Sequence, residues 1–184
     1  MDIAAPSTVA PIDESKFRDP LTTAKGEARA SVSLKTLNTL WINTGTLCNL
    51  TCVNCYIESS PTNDRLVYIT TDEVRAYLDE IAADGLDTEE IGYTGGEPFM
   101  NPDMIDIIDL TLSRGFRALV LTNAMRPMAK VQDGLVGLRE QYGDQLVLRV
   151  SVDHYDIAHH EKERGPRSWQ PAIDGLKWLS DNGF

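Results

Sequence analysis

The sequence of 184 residues has no run of about 18 apolar residues, so no membrane-spanning helix is expected. Its start, Met1-Asp2-Ile3-Ala4-Ala5-Pro6, has neither a basic stretch nor an apolar core, so it is no secretory signal. A reducing cytoplasm is the default compartment, with no membrane partner. Basic residues are scarce: 17 Lys and Arg stand against 28 Asp and Glu, a net charge of −11. No basic face is available for a phosphate backbone, so nucleic-acid binding is not expected. There are only three Cys, an odd number that cannot all pair, which excludes a disulfide-dense scaffold. Low-complexity tracts and short repeats are absent too. What is there is a globular mix, 42% hydrophobic and 24% charged, long enough for one domain with a sizeable core.

Residues 1–34 carry Ala, Pro, Ser, Thr and mixed charge without a period. They read as a poorly ordered leader, with one short helix around Thr23–Ala30. From there the chain alternates between two patterns. Leu40–Asn43 is a short apolar run of strand length. Thr70-Thr71-Asp72-Glu73 is a capping box, followed by Val74, Tyr77, Leu78, Ile81 and Ala82 at helical spacing. Gly85 ends that helix, and Glu90–Tyr93 reads as a second strand. Asn101-Pro102 opens a helix with Pro at its first position, carried by Met104, Ile105, Ile108 and Leu112. Arg117–Leu121 is a third strand, and Val131, Leu135, Leu138 and Tyr142 mark the next helix. Leu146–Val152 is a fourth strand. A last helix, about Ser168 to Asp181, turns Ile173, Leu176 and Leu179 inward. This βα repeat predicts a parallel sheet or barrel with helices outside.

Gly85, Gly115 and Gly143 each stop a helix shortly before a strand, whereas Asn182-Gly183 is followed only by Phe184. Four parallel strands would leave an edge unpaired. The pattern predicts the N-terminal part of a longer protein; the alternative is a small open α/β domain complete as it stands.

All three Cys fall within eight residues, Cys48 to Cys55, an arrangement that random placement produces about half a percent of the time. They follow the first strand, where parallel α/β folds place their chemistry. Three thiolates can hold three irons of a [4Fe–4S] cluster and leave the fourth open, the mark of a catalytic centre. Two alternatives stay open. A zinc site would need a fourth ligand, such as His154, His159 or His160. A thiol redox pair would use Cys52 and Cys55 and leave Cys48 unexplained.

The spacing Cys-x-x-x-Cys-x-x-Cys resembles the signature of the radical S-adenosylmethionine (SAM) superfamily. Tyr93-Thr94-Gly95-Gly96-Glu97-Pro98 after the second strand resembles the family's Gly-Gly-Glu-Pro motif. Leu121-Thr122-Asn123 and Arg149-Val150-Ser151-Val152-Asp153 match the ends of its third and fourth strands. The resemblance covers residues 48–153. It implies a partial (β/α)₆ barrel of the TIM-like kind, about four βα units of an incomplete core domain over residues 35–184. It implies a [4Fe–4S] cluster on Cys48, Cys52 and Cys55, with SAM at the open iron. Tyr56, Gly95, Gly96, Glu97, Pro98, Thr122, Asn123, Ser151 and Asp153 are then the SAM-binding candidates, and Gly95 and Gly96 would let the backbone approach the methionyl amino group. For Glu97 the bland alternative is a solvated loop carboxylate or helix-start charge; for Thr122 and Ser151 it is strand-end capping.

The implied activity is reductive cleavage of SAM to a 5′-deoxyadenosyl radical that abstracts hydrogen from a peptide or small metabolite. Flavodoxin or ferredoxin would be the electron donor. One departure is Asn54, where many members carry an aromatic residue or His before the third Cys. The residues His154, Tyr155, His159, His160, Arg164 and Arg167 read as a polar loop and helix entry; the sharper alternative is that Arg or His there meets a substrate or the SAM carboxylate. The competing functions are a non-catalytic zinc- or iron–sulfur-binding module and an inactive fragment.

Overall fold

The computed structural model describes residue 16 and residues 18–184, and divides the chain between Lys35 and Thr36. Most of the predicted leader, residues 1–15 and 17, lies outside the described residues. Thr23–Ala30 does not form the predicted helix. Thr22 and Ala28 make an antiparallel bridge, and the Thr23 amide donates to the Glu27 carbonyl at 2.8 Å. The Thr23 hydroxyl accepts the Lys25 and Glu27 amides, and Gly26 turns the chain with φ +78°. Side-chain bonds of this kind compete with helical ones, which is why a hairpin-like turn wins.

From Thr36 onward a four-stranded, all-parallel sheet forms in the order β1-β2-β3-β4. The strands are β1 (Thr39–Asn43), β2 (Glu90–Thr94), β3 (Arg117–Thr122) and β4 (Leu146–Val150). The register runs Ile42, Tyr93, Val120, Leu148 across the sheet. The helices are α1 (Thr71–Ala83), α2 (Met104–Ser113), α3 (Arg126–Ala129), α4 (Gln132–Tyr142), α5 (Ile157–Arg164) and α6 (Trp169–Asp181). This is the parallel sheet that the βα alternation predicts, with the four βα units of the partial barrel that the resemblance implies. Among the described residues no helix is long and apolar enough to cross a membrane.

Successive strand residues face opposite ways, so Ile91, Tyr93, Ala118 and Val120 enter the core shared with the helices. Trp41, next to Gly92 in register, faces the other side half-exposed, its ring where a Gly92 Cβ would sit. In α1 the capping box forms as predicted: Thr70 Oγ1 accepts the Glu73 amide, and Glu73 accepts the Thr70 amide at 2.8 Å. Such a cap contributes about 1 kcal/mol. Val74, Leu78 and Ile81 are buried, but Tyr77 and Ala82, counted with them, lie at the surface.

Two further boundaries and one helix face differ from the sequence reading. Asn101-Pro102 does not open α2. The Asn101 side chain donates to the Ile69 carbonyl and accepts the Asp103 amide, holding a turn before Met104. β4 stops at Val150, two residues early. In α6 the inward stripe is Ala172, Gly175 and Leu179, with Leu176 exposed. The small residues let α6 approach the turn after β3, since a Cβ on Gly175 would strike the Ala124 carbonyl.

Candidate functional site

The chain leaving β1 runs across the C-terminal end of the sheet before reaching α1. Its backbone stays tied to the β2 end: the Thr44 amide donates to the Thr94 carbonyl at 2.8 Å, Gly96 to Gly45 at 2.8 Å, and Glu97 to Leu47 at 3.1 Å. This stacking explains both glycines of the Gly95-Gly96 pair. A Cβ on Gly95 would lie 2.6 Å from the Gly45 carbonyl, and one on Gly96 would run into the Leu47 carbonyl. Gly95 also has φ +135°, where only glycine is at ease. The chain's own packing demands these glycines, whatever approaches them from the other side.

Cys48, Cys52 and Cys55 sit on this loop as free thiols. Cys48 is buried, and desolvation pushes its thiol up to about 11. Burial likewise raises Cys52. Burial pushes Cys55 in the same direction, but amides of Ser59, Ile57 and Glu58 donate toward its sulfur and hold it below the ordinary value. The Ser59 amide is 3.2 Å from Sγ. Cys55 is thus the first of the three to become a thiolate, the form that binds metal.

Glu97 is not a solvated loop carboxylate. It is 2% exposed, with Oε1 accepting the Thr122 hydroxyl at 2.7 Å and Oε2 the Asn123 amide at 2.8 Å. Burial pushes its pKa up to about 7 against the pull of these donors. Thr122 and Asn123, predicted as ligand contacts, spend most of their capacity inside the protein. The Thr122 hydroxyl also accepts the Ala124 amide. The Asn123 side chain donates to Asn49 at 2.9 Å, lies 4.0 Å from the Cys48 sulfur, and accepts the Met125 amide.

One cleft of about 470 Å³ is lined by Cys48, Cys52, Cys55, Tyr56, Gly95, Gly96, Glu97, Thr122, Asn123, Ser151 and Asp153. Pro98 is the predicted residue left out; it is buried and opens a short 3₁₀ turn, Pro98–Met100. The Tyr56 hydroxyl lies 3.2 Å from that of Thr94, while its ring stays largely exposed.

Asn54, Glu163 and Arg164 also line the cleft. The segment read as a polar loop and helix entry contains α5, whose last turn brings Arg164 onto Asp153, with Nη2 donating to Oδ1 at 3.0 Å and Nε 2.7 Å from Oδ2. The only sequence signal for this was the charge of residues 161–164, which equally fits a solvated face. His160 of the same helix is buried edge-on against Trp169. Among the described residues, His154, Asp156 and His159 are the group of three potential ligands whose donor atoms lie within 4.8 Å of one another. Their bonds serve the chain itself: His154 Nδ1 accepts the Asp156 amide, and Asp156 caps α5 while binding His159 Nδ1 at 2.8 Å. No cysteine belongs to such a group. Tetrahedral zinc would bring its sulfurs to about 3.8 Å from one another.

A family model described as the radical SAM superfamily matches residues 42–184. The chain belongs to the radical SAM superfamily. A subtilosin biosynthesis protein, AlbA of Bacillus subtilis, is 30% identical over 138 residues, 74% of this chain and 29% of that protein. An AdoMet-dependent heme synthase of Methanosarcina barkeri is 28% identical over 74% of this chain and 37% of its own length. The crystal structure of Streptococcus suis SuiB bound to S-adenosylmethionine superposes with a TM-score of 0.65 at 18% identity, over 80% of this chain and 32% of that one. This radical SAM chain therefore spans about a third of the length of the proteins it matches.

Proposed function

We propose that the chain is the cofactor-binding part of a radical SAM enzyme. In this reading Cys48, Cys52 and Cys55 ligate three irons of a [4Fe–4S] cluster and leave the fourth for SAM. The observation that carries it is the single cleft shared by three free cysteines, the Gly95-Gly96 main chain, Ser151 and Asp153. Three cysteines and no histidine line that cleft, which supplies the three thiolates that a [4Fe–4S] cluster with one open iron takes, whereas a structural zinc would want a fourth ligand. When bound, the cluster supplies one electron for reductive cleavage of SAM, yielding a radical that takes hydrogen from the substrate.

The chain's own residues would divide the remaining work. Tyr56, Gly95, Gly96, Ser151 and Asp153 face the space that SAM would fill. Glu97, Thr122 and Asn123 brace the strand ends beneath it, and Arg164 holds Asp153 in place. The proposed substrate is a peptide or a small metabolite, with flavodoxin or ferredoxin as donor in the cytoplasm. The names of the relatives span bacteriocin biosynthesis and heme synthesis.

The test is anaerobic reconstitution with iron and sulfide, then dithionite and SAM. We expect about four irons per chain, visible absorption from the cluster, and 5′-deoxyadenosine as product. Cys52→Ala should abolish both absorption and product. A filled cluster that releases no nucleoside would overturn the proposed reaction, and one tightly held zinc in place of iron would overturn the cofactor.

A further inference from the structure

Residues 51–55 carry two of the three cysteines, yet the sheet does not hold them. Their bond to one another, Cys55 amide to Cys52 carbonyl at 3.3 Å, closes a local turn. The two hydrogen bonds that reach another element both go to Glu163 in the last turn of α5. The Val53 amide donates to the Glu163 carbonyl at 2.8 Å, and the Asn54 side-chain amide donates to Glu163 Oε2. Cys48, by contrast, is buried: its amide donates to the Ser60 carbonyl farther along the same loop, and the Asn123 side chain, just beyond β3, lies 4.0 Å from its sulfur.

The α5 end is a firm anchor. The Gly165 amide closes the helix onto the Glu161 carbonyl, and Arg164 grips Asp153 just beyond β4 with its side chain 18% exposed. Val53, at 74% exposed, adds little packing of its own. Cys55 also has local holds, its carbonyl accepting the Glu58 amide at 3.1 Å and its sulfur the Ser59 amide at 3.2 Å, but residues 51–54, Cys52 among them, reach beyond their own turn through the α5 contact, 109 residues away in sequence.

We propose that Asn54 and Glu163 form a latch, with Glu163 a positioning residue that acts through Asn54 to hold Cys52 and Cys55 in a metal-ready arrangement. The metal part rests on the radical SAM reading of the cysteines; the latch does not. The partner chemistry is specific. Asn54 offers an N–H and Glu163 a carboxylate oxygen, so Gln at 163 keeps an acceptor while Ala removes it.

The experiment has two arms. In the metal-free protein, alkylation of each cysteine by iodoacetamide is followed by mass spectrometry in wild type, Asn54→Ala, Glu163→Ala, the double variant and Glu163→Gln. Cys52 and Cys55 should react about fivefold faster in both single alanine variants, the scale expected for one lost hydrogen bond. The double variant should be no faster than either single, Glu163→Gln should stay near wild type, and Cys48 should be unchanged throughout. In the second arm the reconstituted proteins are challenged with a chelator, and iron should be lost in the same order. Unchanged Cys52 and Cys55 rates in Glu163→Ala overturn the latch. So does equal acceleration of all three cysteines, or additive effects in the double variant. If wild type takes up no iron while the alkylation pattern holds, the cluster reading falls and the latch stands.

Discussion

The two sides of the cleft are built in opposite ways. On the β2–β3 side the polar side chains are buried and committed: Glu97, Thr122 and Asn123 are each 5% exposed or less and bonded to one another. On the loop–α5 side Tyr56 is 72% exposed, and the Asn54–Glu163 bond is open to water. A buried polar network costs much when one member is lost, whereas an exposed bond contributes little to folding. The first side is scaffold, and the second is the part whose position a bound group would still improve.

Substitutions can break this contrast. The largest effect should come from Gly96→Ala, because its Cβ meets a backbone carbonyl that cannot swing aside. A loss of about 4 kcal/mol in the metal-free protein is expected by denaturant unfolding. A loss under 1 kcal/mol would show that the β1 loop is free to move off the β2 end.

Next is the charge on Glu97. Its carboxyl is raised from 4.5 to about 7 by burial. Below pH 4.5 it is neutral folded and unfolded, so it does not oppose folding there. Between pH 4.5 and 7 the unfolded chain ionises first and stability falls, by roughly 3 kcal/mol in total. The thermal midpoint of the metal-free protein should therefore drop across that window, and Glu97→Gln should flatten the drop. Parallel curves for the two proteins would remove Glu97 as the cause. The smallest effect belongs to Tyr56→Phe. It deletes one exposed hydroxyl contact to Thr94 and should change stability by less than about 0.5 kcal/mol. A larger loss would place the loop side within the scaffold and erase the contrast.

Much of this was legible in the residues, for reasons that differ by element. The α1 boundary was readable because a capping box is local: Thr70 and Glu73 need only each other's side chains and amides. The strands were readable from short apolar runs, and three cysteines in eight residues marked the loop that lines the cleft. What misled was side-chain size. Leu176 looked inward by periodicity, but Gly175 faces inward, against the turn after β3, because contact with Ala124 demands the absence of a side chain. The 3.6-residue period counts apolar bulk and is blind to close approach. Thr23–Ala30 failed differently, since a turn glycine and a threonine hydroxyl outcompeted a weak helical segment.

By itself, the sequence determined the βα alternation, the cysteine spacing and the identity of the strand-end residues, because each is written in neighbours along the chain. Only the tertiary structure decided what those residues do for one another. It turned Glu97 inward, assigned both glycines to loop packing, and carried α5 across 109 residues to Asn54. Burial and long-range hydrogen bonds depend on which surfaces meet, and no local pattern records that.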